Sequence, residues 1–263
     1  MRTCPRRTST SRLTLAAALA LLAPALASPT PVQAQDDEPM MLGYVVQVTP
    51  LRGQSAGFEA GMAGYLEDFA AQGLTTEWHT FEVMTGENAG SYYVTSFGHT
   101  WSTMDAVFAE GSGLDDSFRA NIEPRVEDAH PQFMAVRPDL SHMSEMGSPP
   151  RLSQLFWIRP HMAEAQAFEA SLREMVGAAA DAEWPYEWIV YQRVNGGVLP
   201  QYVVQINGES FADFAEPDPS MFEMMQEQMG EDEAQAFFEA LSATMAYETS
   251  EMVGYREDLS YIP

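Results

Sequence analysis

Lysine is absent from all 263 residues, and the basic side chains are 13 arginines against 38 aspartates and glutamates. Four of those arginines, Arg2, Arg6, Arg7 and Arg12, fall in the first 34 residues, which hold no acid. The remainder therefore carries nine basic and 38 acidic residues, a balance of −29. Nucleic acids and anionic membranes need clustered Lys and Arg, so such a surface excludes both as partners. It suits a protein kept in solution by charge. Cysteine is almost as scarce. Cys4 is the only one, and it precedes the first apolar run. That excludes disulfides, thiol catalysis and Cys-ligated metals from the rest of the chain, whose stability must come from a packed core. Beyond residue 34 no apolar run is long enough to span a bilayer.

The first residues read as a leader. The basic start is followed by an apolar stretch from Leu13 to Ala27, broken by Pro24, and then by Val32-Gln33-Ala34. A short apolar run and a small-residue cleavage pattern predict a secretory signal peptide over 1–34, and an exported, periplasmic or extracellular protein. Arg6-Arg7 raises the twin-arginine route, but Ser and Thr follow the pair, so the route stays open. Asp36-Asp37-Glu38 predicts a solvated, disordered acidic start over 35–40.

The rest is written twice. At an offset of 110, Pro50 meets Pro160, Phe58-Glu59-Ala60 meets Phe168-Glu169-Ala170, and Glu77-Trp78 meets Glu187-Trp188. Gly86, Tyr92, Val94 and Gly98 meet Gly196, Tyr202, Val204 and Gly208. Arg137-Pro-Asp-Leu-Ser then returns as Arg256-Glu-Asp-Leu-Ser at an offset of 119, so the second copy gains nine residues after Gly208. The units are 41–141 and 151–263, joined by a linker over 142–150 that holds Gly147, Pro149 and Pro150.

Each unit reads β-α-β-β-α-β. In the first, strands are predicted at 42–49, 77–84, 91–99 and 132–137, with a helix over 54–71 whose Phe58, Met62, Leu66 and Phe69 form one stripe. Ser102-Thr103-Met104-Asp105 is a capping-box pattern for the second helix. The second unit is predicted with strands at 154–159, 187–194, 201–207 and 251–256, and helix at 164–178 and through to Tyr247. Val46 and Val48, matched by Phe156 and Ile158, should meet the helices. The opposite side pairs Gln47 with Trp157 and Thr49 with Arg159, and strand three adds Tyr93 and Phe97. Large side chains on both faces predict that neither faces water. The fold class is therefore α+β: two tandem ferredoxin-like units whose sheets pack face to face as an intramolecular barrel. Which face of strand two looks inward stays open, because Trp78 and Phe81 lie on opposite faces.

These two units, with Ser96-Phe97-Gly98-His99-Thr100-Trp101-Ser102 leading to a helix that holds Phe108, resemble the dimeric α+β barrel superfamily in single-chain tandem form. The segment is similar to NIPSNAP-type and antibiotic-biosynthesis-monooxygenase-type members, over residues 41–261. The resemblance implies the barrel. It leaves function open among cofactor-free oxygenases, haem-degrading enzymes and haem-binding chlorite-dismutase-like proteins. The Asn/Trp/His set of the haem-degrading members is not recognisable in this sequence, and fold alone does not select an activity.

The histidines are His79, His99, His130, His142 and His161, with no metal-type spacing among them. His79 is the candidate base. It sits in a strand where the second copy has Ile189, so only one half would carry it. The bland reading is a hydrogen-bonded strand histidine. Haem ligation by His79 or His99 follows only from the resemblance; no cofactor and no metal is otherwise expected. Between the sheets, Gln47, Thr49, Tyr93, Thr95, Trp157, Arg159, Gln205 and Asn207 would line a ligand space of apolar and aromatic walls with few polar groups. Arg159 there could meet an anionic ligand or an internal carboxylate. A packed interface with a filled core, serving structure or partner binding, is the competing reading. Met221, Met224, Met225 and Met229 suit Cu(I), but they continue into Phe237, Leu241 and Met245 as a helical core stripe. The function expected is an exported protein that binds a small apolar or aromatic molecule, as a monomer or weak homo-oligomer. A cofactor-independent monooxygenase-like enzyme is the alternative.

Overall fold

The computed structural model describes residues 40–143 and 147–263. The expected leader, Cys4 and Asp36-Asp37-Glu38 lie outside them, as do residues 144–146 of the linker. The strands are β1 Leu42–Pro50, β2 His79–Val83, β3 Tyr92–His99, β4 Val126–Val136, β5 Leu152–Pro160, β6 Ile189–Asn195, β7 Tyr202–Gly208 and β8 Met245–Tyr255. The helices are α1 Ser55–Gln72, α2 Trp101–Ser112, α3 Asp115–Asn121, α4 Ala165–Asp181, α5 Met221–Met229 and α6 Glu231–Thr244. All strand pairs are antiparallel, and they close a barrel in the order β1-β3-β2-β8-β5-β7-β6-β4. Each ferredoxin-like half supplies four consecutive staves. The halves join by hydrogen bonding at two seams: β2 to β8, with Val83 opposite Val253, and β4 to β6, with Val136 opposite Tyr191.

Alternation sorts the side chains. Val46 and Val48 point outward to Phe58 and Met62 of α1, and Phe156 and Ile158 point outward to Phe168 and Leu172 of α4. Phe58 meets Tyr92 with ring centroids 4.9 Å apart, and the copy repeats this with Phe168 and Tyr202 at 5.0 Å. All four rings are about 1% exposed; burying each stabilises the fold by roughly 1.5–3 kcal/mol. Val45, Val83, Tyr93, Met134, Leu155, Val203 and Val253 point inward to a separate core inside the barrel. Phe81 joins that inner core, while Trp78 lies outside, edge-on to Tyr44. Met224, Met225 and Leu241 are buried in the second half's outer core, with Met229, Phe237 and Met245 packed on it, but the expected single helix breaks at Gly230 into α5 and α6, and Met245 begins β8.

Several predicted boundaries move. Tyr247 is not helical: α6 ends at Thr244 and Tyr247 lies in β8. The last strand of each half starts about six residues earlier than predicted, at Val126 and Met245. Those added stretches of strand are mostly exposed and show no alternation of apolar and polar residues to mark them. The second helix is capped two residues earlier than the Ser102 pattern. Thr100 is the cap, and its backbone N–H donates to Thr103 Oγ1 at 2.9 Å. Gly73 ends α1 with φ +65°, a left-handed conformation that glycine adopts without strain.

The duplicated phrase does more than end each half. After β4, Arg137 forks onto Asp139 through two bonds of 2.8 Å, then crosses to Glu169 on α4 at 2.8 and 3.0 Å. After β8, Arg256 forks onto Asp258 at 2.9 and 2.8 Å and crosses back to Glu59 on α1 at 2.7 Å. Tyr202 and Tyr92 each donate a hydroxyl bond to the carboxylate reached. Leu140 inserts into the second half's outer core and Leu259 into the first half's. Each copy of the phrase is thus a clasp onto the opposite half.

Candidate functional site

Inside the barrel, between its inner core and one end, lies a cavity of about 590 Å³. Its walls are mostly apolar: Val45, Phe81, Phe97, Leu155, Tyr191 and Val203 contribute from six strands. Gly43 makes room at this end, because a Cβ there would sit 2.2 Å from the Phe97 ring. The described residues of the linker, Met143 and Gly147-Ser148-Pro149-Pro150, all line the cavity, together with Pro185-Tyr186. Two adjacent prolines fix φ and give this cover a stiff backbone.

Polar groups reach the cavity from four strands, Thr95 of β3 among them, whose Oγ1 donates to the His79 carbonyl at 3.3 Å. On β5 and β7, Ser153, Gln205 and Asn207 bond to one another: Gln205 Nε2 donates to Asn207 Oδ1 at 2.7 Å and to Ser153 Oγ at 3.2 Å, and Ser153 Oγ donates to Asn207 Oδ1 at 3.0 Å. On β2, the His79 ring is 18% exposed. Its Nδ1 stands 3.5 Å from the Tyr255 hydroxyl and its Nε2 is 3.7 Å from Glu77. Burial pulls the His79 pKa below the usual histidine value, and the Glu77 carboxylate offsets part of that. The imidazole is therefore held neutral at pH 7, with Nε2 turned toward Glu77 and Nδ1 toward the Tyr255 hydroxyl.

Of the residues expected from sequence, Tyr93, Thr95, Trp157, Gln205, Asn207 and His79 all line this cavity. Gln47, Thr49 and Arg159 do not. They continue the inward faces of β1 and β5 past the inner core, toward the opposite end, where Thr49 Oγ1 bonds Ser91 Oγ at 3.0 Å. His99 is on the outside of the first half, with Nε2 2.7 Å from Ser96 Oγ. Sequence reading missed a buried carboxylate. Glu251, 4% exposed, accepts from the Tyr93 hydroxyl at 2.6 Å, from Trp157 Nε1 at 2.7 Å and from Asn88 Nδ2 at 3.1 Å. Burial and this carboxylate both push the Tyr93 hydroxyl pKa far up. The missed signal was an acid two residues before Val253, in phase with it, at the position where the first copy has Gln132. The linker's role as a cavity wall carried no signal in its composition.

Haem, which the resemblance raises, does not fit the cavity as built. Among the described lining residues His79 is the only imidazole, and its ring nitrogens face Tyr255 and Glu77. Among the described residues no arginine lines the space to meet propionates, whereas Glu187 and Asp213 do line it. No cluster of His, Cys, Asp and Glu suited to a metal occurs among the described residues.

No family model and no curated protein matches the sequence. Solved structures do match the fold. A "putative monooxygenase" from Lactobacillus acidophilus NCFM superposes with a TM-score of 0.51 at 8% identity, covering 85% of this chain and 96% of that one. An anthrone oxidase-like protein gives 0.51 at 13% identity, over 84% and 93% of the two chains. A mutant chlorite dismutase from Candidatus Nitrospira defluvii, in complex with cyanide, gives 0.51 at 10% identity, over 85% and 93%. At such identities the likeness shows the architecture, and the architecture is the ferredoxin-like α+β barrel derived above.

Proposed function

We propose that this is an exported protein that binds a small, largely apolar or aromatic molecule inside the barrel, and that its NIPSNAP-like or antibiotic-biosynthesis-monooxygenase-like affinity is of this ligand-binding kind. The observation that carries the reading is the 590 Å³ cavity, with apolar walls, a small polar cluster and a proline-stiffened cover. A filled structural core would leave no such space. The test is titration with anthrone and 1-naphthol, followed by tryptophan fluorescence, since Trp157 and Trp188 line the cavity. Saturable quenching is expected, and Val203→Trp, which fills the space, should remove it. Absence of saturation with the native chain refutes the pocket.

A second reading, a cofactor-independent oxygenase, is favoured by the neutral His79 on the cavity wall. The unprotonated ring nitrogen of His79 would take a proton from an activated C–H or O–H of an electron-rich aromatic, leaving a carbanion or phenolate for dioxygen. Likeness to proteins described as monooxygenase and anthrone oxidase-like supports the choice of substrate. Oxygen uptake with anthrone should vanish in His79→Ala while the unfolding midpoint barely moves. Because burial lowers the pKa, the base stays active somewhat below pH 6.5, and uptake should fall only on the acid side. Uptake undiminished in His79→Ala excludes this reading and leaves ligand binding standing.

A further inference from the structure

At the opposite end of the barrel, Arg159 of β5, Gln201 immediately before β7 and Arg193 of β6 lie side by side on the inward face. Ile158 and Gln192 both pair with Tyr202, and the Arg193 N–H donates to the Gln201 carbonyl at 2.9 Å, so the two arginines flank Gln201. Neither guanidinium has an acid partner. Arg119, Arg137, Arg173 and Arg256 all pair with carboxylates, whereas Arg159 and Arg193 pair with none among the described residues. Arg193 Nε donates to Gln132 Oε1 at 2.6 Å and its guanidinium lies 5.6 Å from the Trp157 ring. Arg159 lies 5.7 Å from the Tyr247 ring, and its Nε is buried with no hydrogen-bond partner. Gln201 is 6% exposed, and its Oε1 is likewise buried and unpartnered. The buried acid of this interior, Glu251, is engaged by Tyr93, Trp157 and Asn88 instead.

The first half supplies an internal control. The equivalent positions hold Thr49, Ser91 and Val83. There Thr49 and Ser91 bond each other, and nothing is charged. The second half has replaced a closed neutral arrangement by two cations and an amide with free bonding capacity. Like charges in one barrel mouth repel: burial and the Arg159 charge both lower the Arg193 pKa. In a protein of net charge −25, setting two uncompensated arginines together is costly unless something negative joins them.

We propose that Arg159, Arg193 and Gln201 form a binding site for a small oxyanion, a phosphate or a carboxylate, separate from the apolar cavity. The two guanidinium groups supply charge-assisted donors, and the Gln201 amide turns to present its NH₂. Tyr247, 44% exposed, stands over Arg159 at the solvent side.

The test compares the full chain in sodium phosphate, sodium acetate and sodium chloride at equal ionic strength. The unfolding midpoint should rise in phosphate or acetate by about 3–6 °C at ten times Kd. The arginine Nε–H resonances of Arg159 and Arg193 should shift saturably in the same titration. The phosphate and acetate arms tell a phosphoryl ligand from a carboxylate one, and a response to either supports the site. Arg159→Gln should lose the response, yet be at least as stable in chloride, because the repulsion is relieved. If no anion outperforms chloride, or if Arg159→Gln responds undiminished, the proposal fails. Were Arg159→Gln not to fold, the native resonances decide: unmoved Nε–H signals overturn it. Anthrone binding in the cavity should be unchanged in Arg159→Gln, so this site and the cavity stand or fall separately.

Discussion

Replacing the hub of each clasp tests how the two halves are held. In Arg256→Met, three carboxylates lose their cation: Glu59, Glu82 and Asp258, all within 3.0 Å of it. In Arg137→Met the loss is softer, because Arg173 remains within 2.9 Å of both Asp139 and Glu169. Removing one partner of a fully buried pair costs about 3–5 kcal/mol. These groups are only partly buried; Arg256 is 22% exposed and Asp258 64%. Solvent screening reduces the expected cost to about 2–4 kcal/mol for Arg256→Met and about 1–2 kcal/mol for Arg137→Met. The pH dependence has a definite sign. Arg256 and Tyr92 hold the Glu59 pKa below its usual value, and Arg256 does the same to Asp258. A lowered folded-state pKa contributes stability above the unfolded value that is lost as pH falls through the folded one. The clasp should therefore weaken below about pH 4.5 in the native chain, whereas Arg256→Met, left with only the Tyr92 bond to Glu59, has much less to lose. Urea midpoints at pH 7 and pH 3.5, at constant denaturant slope, should show native and variant curves converging in acid. A cost independent of pH, or Arg137→Met costing more than Arg256→Met, would refute the electrostatic account.

Two further substitutions probe the barrel interior. Glu251→Leu strands the Tyr93, Trp157 and Asn88 donors and should cost about 3–5 kcal/mol, whereas Glu251→Gln keeps an acceptor oxygen and should cost about 1–2 kcal/mol by urea unfolding. Equal costs would show that the donors find other partners. Gly196→Ala and Gly90→Ala share a backbone at φ +87° and +88°, but a Cβ on Gly196 would lie 2.4 Å from the Pro131 carbonyl while Gly90 faces open space. Calorimetric midpoints should place Gly90→Ala at about 1 kcal/mol and Gly196→Ala at about 3 kcal/mol, and parity would deny the close approach of that loop to β4.

What was legible in the sequence was whatever repeats or alternates. The offset through Trp78 and Trp188, Gly86 and Gly196 exposed the duplication. Period two in Val46 and Val48 against Gln47 and Thr49 set the inward face of the first strands, and the same alternation gave five residues of the cavity wall, Tyr93, Thr95, Trp157, Gln205 and Asn207. What escaped depends on contacts between distant segments. The first halves of β4 and β8 are mostly exposed strands held by ladder bonds to β1 and β5, which are invisible as pattern. Whether Trp78 or Phe81 turns inward is decided at the β2–β8 seam, where Phe81 meets Tyr255. The clasp residues were visible as a phrase, but their crossing to the other half required Glu59 and Glu169 to be brought alongside. The Pro149-Pro150 segment read as a spacer because nothing local says that a barrel end lies beneath it.

Joining the halves in one chain changes what the interior can hold. In a symmetric dimer every inward residue occurs twice, so a buried acid would face its own copy across the barrel, and an arginine likewise. Here the equivalent positions have diverged: Gln132 against Glu251, 3% and 4% exposed, and Thr49 and Val83 against Arg159 and Arg193. One carboxylate can then be saturated by Tyr93 from the first half and Trp157 from the second, whose counterparts are Val203 and Gln47. The histidine at position 79 faces the cavity only once, because the other half offers Ile189. Each polar device in this barrel is therefore built from positions where the copies differ, while Phe58 and Phe168, Tyr92 and Tyr202, Arg137 and Arg256 stay matched. Matched positions hold the outer shell and the clasps; unmatched ones furnish the interior, which is where a single-chain barrel gains chemistry that a self-paired one must write in duplicate.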